Sequence, residues 1–389
     1  MKIHIHGNCQ APALADILSQ ACGPAVSVTN RQVFNLNLDQ KREVEAYCQE
    51  ISGADVIITQ PVADGYRGTE ILSTRWIREH AKPTAQVLLI PVVYHRGQLP
   101  QCFTLSDYHD GRLAYHDAHA IDAFLTGAGV EKFLWETSRS DFLPEVFVQS
   151  ELARTSIELL RREREANVDV AASASIAHRL LTEQPMYAVN HPSRSILLEM
   201  SQHLLGLMGR SEQVTPEGLD MLSSFVMPPY LSTMLGLGSA AAGIDLDNVR
   251  VNDRTETRQR YFEGVFDSYD RIGRANLAAV VSRHPDVGAY LGRYRQAKAG
   301  AQVIDERAFV ETLYRLFLDR FPDSGEVAAH LMALRNLGVQ ETLAGFANSD
   351  EFAARGRRIV PFADVQSVSS SSATKDGLWK RVTRAITLT

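Results

Sequence analysis

The chain has 389 residues, 45% of them hydrophobic and 22% charged, and a formal net charge of −6. That is globular composition with room for about two or three domains, and so mild an acidity gives no field that would recruit nucleic acid. Four scattered cysteines (Cys9, Cys22, Cys48 and Cys102) form neither a CxxC pair nor a zinc spacing with histidine, so the expectation is a reduced, cytoplasmic protein with no disulfide and no metal.

In chain order, Met1–Gly7 lacks the apolar segment of a signal peptide and enters a strand pattern at once, with Ile3–His6 as the strand. Ala13–Cys22 has Leu14, Ile17, Leu18 and Ala21 on one helical face, and Gly23-Pro24 stops it. Ala25–Thr29 reads as a second strand and Glu43–Ile51 as a helix. Residues 54–59 form a third strand, whose run of branched side chains predicts burial on both faces. A helix over 69–80 and a strand over 86–93 follow. Strands separated by helical crossovers imply an open parallel sheet covered by helices. In such sheets ligands bind outside the carboxyl ends of the strands. Gly7-Asn8-Cys9-Gln10, Gln60-Pro61, and Pro91 with Tyr94-His95 are therefore expected to line one crevice.

Past residue 110 the pattern becomes helical, over 117–128, 144–165, 171–183 and 193–209. A short apolar piece, Met186–Val189, precedes Asn190-His191-Pro192-Ser193, and Ser193 fits the N-cap of the next helix. Met227–Ile244 is apolar but too short and too broken by Pro228, Pro229, Gly and Ser to span a bilayer. Three regions result: an α/β domain over 1–298, a small all-α domain over 303–355, and a Ser-rich linker with a basic tail over 356–389. Within the small domain a helix over 305–321, a turn at 322–325 and helices over 326–337 and 339–347 are expected. From residue 353 onward seven basic residues face two acidic ones, leaving the tail near +5 by formal count. The basic stretch 378–386 has two readings: a contact with a protein partner or with anionic lipid at the inner membrane face, or a frayed, solvated end, the simpler of the two.

Cys9 is the first candidate for chemistry. A thiol on the turn after the first strand meets backbone N–H groups and the positive end of a helix, both of which favour thiolate. The neighbouring Asn8 and Gln10 offer hydrogen bonds to an oxyanion. The competing reading is a small, inert core cysteine. His191, constrained beside Pro192, is a candidate base or else a structural histidine. His4 and His6 share a strand face with no third ligand near, and His109, His116 and His119 lie in a polar, Asp-rich segment, so neither group is read as a metal site. No Walker A, GxGxxG or GxSxG motif is present.

Ile3-His4-Ile5-His6-Gly7-Asn8-Cys9-Gln10 before a helix, Ile57-Ile58-Thr59-Gln60-Pro61, Leu89-Ile90-Pro91-Val92-Val93-Tyr94 and Asn190-His191-Pro192-Ser193, in that order, resemble the WcbI family of bacterial capsular polysaccharide biosynthesis enzymes over about residues 1–290. The resemblance implies an SGNH-hydrolase-like α/β fold and an acetyltransferase that carries acetyl from coenzyme A to a hydroxyl of a sugar or polysaccharide acceptor. Cys9 would stand at the nucleophile position, as an acylated residue or as a fixture beside the thioester, and His191 would be the base. Gly7, Asn8, Gln10, Gln60 and Asn190 would serve the oxyanion or substrate, and Arg31, Arg67, Tyr94, His95 and Arg96 the coenzyme. No Asp-x-x-His is present, which leaves the group that orients His191 unassigned. Two alternatives stay open: a Cys-dependent esterase or thioesterase on the same scaffold, and a non-catalytic glycan-binding or assembly protein. Residues 309–323 and 345–352 resemble a small helical domain of unknown function found in bacterial surface-layer and glycan-related proteins, with its 319–325 loop read as a solvated turn rather than a calcium site.

Overall fold

The computed structural model describes residues 1–105, 113–180, 182–218, 220–237, 244–301 and 305–354. The expectations for His109, the Ser-rich linker and the basic tail lie outside the described residues. Four parallel strands form the main sheet: β1 (Lys2–Gly7), β2 (Ser27–Gln32), β3 (Val56–Thr59) and β4 (Gln86–Leu89), in the order β2-β1-β3-β4. Helices α1 (Gln10–Cys22), α2 (Lys41–Gly53) and α3 (Thr74–His80) make the crossovers.

Alternation along β1 separates the two faces. Ile3 and Ile5 join Leu14, Ile17 and Leu18 of α1 in the larger core, each such side chain contributing roughly 1.5–3 kcal/mol on burial. The opposite face is a smaller core of Tyr47, Ile51, Ile57, Leu72 and Ile77 under α2 and α3. His4 and His6 point to that side. His6 is held by Tyr47 Oη (3.2 Å) and the Leu72 carbonyl (3.0 Å), and His4 by Thr29 Oγ1 (2.9 Å). They are polar members of a packed layer. Because the chain adds β2 on one side of β1 and then crosses to β3 on the other, the strand order reverses at β1, and the β1 and β3 carboxyl ends mark the switch point where such sheets hold ligands.

Strand β4 stops four residues earlier than the apolar run suggests. The Leu89 N–H goes to Asp169 Oδ2 (2.7 Å), and Pro91 then removes a ladder donor. The segment beyond runs along a helix: Arg162 donates to the carbonyls of Val92 (3.2 Å) and Tyr94 (2.9 Å). The expected helix over 69–80 forms only from Thr74, since Gly65, Arg67 and Gly68 take positive φ in the preceding turn.

The continuation holds β5 (Cys102–Phe103), β6 (His116–Asp117), α4 (Ala118–Leu125), α5 (Val130–Thr137), α6 (Glu145–Ala166), α7 (Ser173–Arg179), β7 (Met186–Ala188), β8 (His191–Pro192) and α8 (Arg194–Leu207). Ser193 occupies the N-cap position of α8, but its hydroxyl bonds Ser195 Oγ (2.8 Å) instead of capping the helix. Next come β9 (Phe225–Val226), α9 (Leu231–Gly236), β10 (Asn248–Val251), β11 (Arg254–Thr257), α10 (Arg258–Ile272), α11 (Arg274–Ser282) and α12 (Pro285–Lys298). The antiparallel sheet β11-β10-β9 is an element that helical periodicity does not reveal. Among the described residues no helix is long and apolar enough to cross a membrane.

The C-terminal helices are α13 (Glu306–Phe317), α14 (Ser324–Ala347, broken at Gly338 by φ 82°) and α15 (Asp350–Ala354). They pack on α6 and α7, and their apolar residues continue the larger core. Arg164 of α6 donates to the carbonyls of Arg315 and Leu316 and pairs with Asp319, closing the C-terminal end of α13 from outside.

Candidate functional site

The site begins where β1 ends. Gly7 carries no Cβ, and one built there would lie 2.7 Å from Gln60 Oε1. That close approach lets Gln60, the first residue after β3, accept the Asn8 N–H at 2.8 Å and donate to Gln10 Oε1 (2.9 Å) and to the Pro91 carbonyl (3.2 Å). Gln10 in turn donates to the carbonyls of Val93 (2.8 Å) and Asn190 (2.9 Å). Two buried carboxamides thus join three strand ends to the Asn190 loop.

The structure gives Gln10 and Gln60 a holding role in place of the oxyanion role expected of them. The Asn8 N–H is spent on Gln60, the Gln10 N–H on Asn8 Oδ1 (2.9 Å), and both glutamine amides on carbonyl oxygens. The N–H groups so bonded hold the turn in place and are not offered to an oxyanion.

Cys9, between β1 and α1, is half-buried. Its sulfur lies 3.6 Å from Asn190 Nδ2 and 4.0 Å from the Asn190 carbonyl. The expected thiolate is not stabilised here. Burial pushes the thiol up to about 11, and the opposing pull of its own N–H is weaker. No carboxylate or cation is hydrogen-bonded to the sulfur among the described residues, so desolvation outweighs the helix end.

Asn190 is oriented by a residue no local pattern marked. Tyr115 Oη stands 2.6 Å from Asn190 Oδ1, a distance typical of O–H···O, so the carboxamide nitrogen faces the sulfur. The Tyr115 ring meets His191 edge to face (5.3 Å, 75°) and packs 4.5 Å from Phe225. His191 Nδ1 lies 3.1 Å from the Leu222 carbonyl. A carbonyl only accepts, so the proton sits on Nδ1 and Nε2 keeps its lone pair. Burial lowers His191 to about 4, leaving the ring neutral near pH 7. The orienting partner is a main-chain carbonyl rather than a carboxylate.

The residues expected to hold a coenzyme divide. Arg31 is bidentate on Glu50 (2.8 Å twice), and Arg67 braces the loop after β2 through the Val33 (2.9 Å) and Leu36 (2.8 Å) carbonyls, so both have structural work. His95 is corrected to a core residue: it is buried, with Nε2 on Ser156 Oγ (3.1 Å) and Nδ1 accepting the Gly97 N–H (3.2 Å). The Tyr94 carbonyl takes Arg162, and its half-buried phenol is raised by burial. Arg96 differs. Its guanidinium lies 4.2 Å over the Phe103 ring, and Nη1 is buried with no hydrogen-bond partner among the described residues. Among the described residues no group of three His, Cys, Asp or Glu side chains is arranged to hold a metal.

The fold and site define a doubly wound α/β protein with a cysteine and a neutral, oriented histidine at the switch point of its sheet. The chain belongs to the WcbI family: residues 2–213 match the family described as polysaccharide biosynthesis enzyme WcbI. Residues 296–355 match a domain of unknown function, DUF4214. Comparison with curated proteins found no relative. Among solved structures, WcbI, a polysaccharide biosynthesis enzyme described there as native protein without a disulfide bond between coenzyme A and a cysteine, superposes with a TM-score of 0.63 at 20% identity, over 75% of this chain and 98% of that one. That likeness shows the fold.

Proposed function

We propose that this chain is a coenzyme A-dependent O-acyltransferase that acetylates a sugar hydroxyl during polysaccharide biosynthesis, on a scaffold related to the SGNH hydrolases. Family membership supports the pathway class, and coenzyme A is associated with the WcbI structure. The observation that carries the reading is His191: its Nδ1 is committed to the Leu222 carbonyl and its Nε2 lone pair is available beside the cluster of Cys9, Asn190 and Tyr115.

Bound coenzyme would supply an acetyl thioester. His191 Nε2 accepts the proton of the sugar hydroxyl as the new C–O bond forms, then returns it to the departing thiol sulfur as the C–S bond breaks. Asn190 Nδ2 has a second N–H besides the one facing Cys9, and it serves the developing oxyanion. Burial raises the Cys9 thiol and favours its protonated form. In this reading Cys9 lines the thioester's place, and transfer is direct instead of passing through an acetyl-cysteine.

Arg96 fits a phosphate-bearing ligand. Its Nη1 has no partner among the described residues, its main-chain N–H bonds Thr155 Oγ1 (3.0 Å), and its charge acts on Arg154 of α6. The nearby Glu151 is already bidentate on Arg293 (2.6 and 2.9 Å), so the guanidinium groups outnumber the carboxylate. Planar guanidinium pairs suit phosphate oxygens. A thermal-shift titration with coenzyme A tests this. The wild type should show a concentration-dependent rise in Tm that is weaker in Arg96→Ala, and a flat wild-type response overturns the proposal.

A further inference from the structure

We propose that Tyr115 is a positioning residue of this site, turning the Asn190 carboxamide so that its N–H faces the Cys9 sulfur and bracing the His191 ring with its own. The inference deepens the acyltransfer reading and takes its catalytic meaning from it. Asn190 ends the turn after β7 and His191 opens β8, so the two are consecutive, and one phenol reaches both. The hydroxyl holds Asn190 Oδ1 at 2.6 Å, while the ring edge stands 5.3 Å from His191.

The orientation matters because a carboxamide has two unlike ends. With Oδ1 taken by the phenol, Nδ2 lies 3.6 Å from the sulfur, with one N–H toward it and the other serving the developing oxyanion. Turned over, the same side chain would present an acceptor to the sulfur and to the oxyanion alike. Tyr115 is well placed to prevent the turn. It is 5% exposed, packed between His191 and Phe225, and burial keeps its phenol protonated and hence a donor. Removing only the hydroxyl, in Tyr115→Phe, keeps the ring and its packing but frees the carboxamide.

The test reads the sulfur directly and needs no coenzyme. The rate of Cys9 alkylation by iodoacetamide is followed on the Cys9 peptide by mass spectrometry over a pH series. Among the described residues the titratable groups near the sulfur are Tyr115 itself, Cys102 and Tyr94 beside it, the latter raised by burial, and His191 beyond its ring, which at about 4 stays neutral throughout. Losing a donor to a thiolate costs about one pKa unit, so Tyr115→Phe should slow Cys9 alkylation about tenfold near pH 8. Cooperative unfolding should be retained. In an Asn190→Ala background the same change should have no further effect, because Tyr115 acts through Asn190.

A wild-type pH profile for Tyr115→Phe overturns the proposal, as does a slowing that persists without Asn190. If Tyr115→Phe does not fold, Asn190→Ala decides alone: it should show the same slowing, and wild-type alkylation there overturns the proposal. Failure of coenzyme A to bind the wild type would remove the acyltransfer reading, while the alkylation profiles would still decide whether Tyr115 orients Asn190.

Discussion

Replacing Gly7 with alanine puts a methyl group 2.7 Å from Gln60 Oε1 and 3.0 Å from its Cδ. Gly7 does not take a positive φ, so the cost is contact and not backbone strain. Gln60 must move. Its three hydrogen bonds, from the Asn8 N–H and to Gln10 Oε1 and the Pro91 carbonyl, weaken or break in a largely buried place. At about 1 kcal/mol per bond, and more where a buried group is left unpaired, Gly7→Ala should destabilise by about 2–4 kcal/mol in urea unfolding with an unchanged m-value. Gln60→Ala should lose a similar amount by deleting the same bonds. Because both changes act on one side chain, Gly7→Ala should cost less than about 0.5 kcal/mol in the Gln60→Ala background. Additive costs, or a Gly7→Ala protein as stable as wild type, would refute the claim that this glycine exists for the approach of Gln60.

Acid stability should fall in a defined window. Burial lowers His4, His6 and His191 to about 4, and His95 and His119 to about 3. Above pH 6.5 these rings are neutral in both states. Between 6.5 and 4 the unfolded chain binds protons that the folded one refuses, so stability is lost on acidification, by up to about 1.4 kcal/mol per pH unit for each histidine. Asp117, raised to about 6 by burial, pulls the other way between its ordinary value and 6, as do Glu163 and Glu341, also raised by burial, while His330, lowered by burial, adds to the histidine side. Urea midpoints over that range check the slope, and a flat profile contradicts it. Separately, Arg164→Ala should expose the last turn of α13 and speed amide hydrogen exchange over 306–319 by about tenfold or more, since it removes the bonds to Arg315, Leu316 and Asp319. Unchanged exchange there would mean that α13 is closed by its own packing.

The sheet was legible because its signals are local. Ile3-His4-Ile5-His6, the branched run 54–59 and the helix of Leu14, Ile17 and Leu18 declare strands and crossovers within a few residues, and crossover chirality does the rest. Topology alone brought Gly7–Gln10, Gln60 and the segment after β4 to one crevice, and the structure joins them there through Gln10 and Gln60. What stayed hidden acts over long sequence separations. Tyr115 reaches Asn190 across 75 positions, and the Leu222 carbonyl reaches His191 across 31. A main-chain acceptor leaves no side-chain signature, and no acidic residue near His191 in sequence is needed to orient it. The thiol's direction depends on the same kind of long-range packing. The helix end beside Cys9 is visible in sequence, whereas the apolar packing that outweighs it is a property of the folded core. The early stop of β4 depends on Asp169, 80 residues further along the chain.

The central claim is direct acyl transfer assisted by His191, and one experiment bears on it most closely. Acetyl-coenzyme A is mixed with deacetylated polysaccharide fragments, and both the sugars and the intact protein are weighed by mass spectrometry, for wild type and for His191→Ala. The account predicts acetylated sugar and free coenzyme A with the wild type, no acetyl adduct on Cys9 at any time, and loss of product by about two orders of magnitude or more in His191→Ala. An acetyl group found on Cys9, or undiminished transfer without His191, would contradict it.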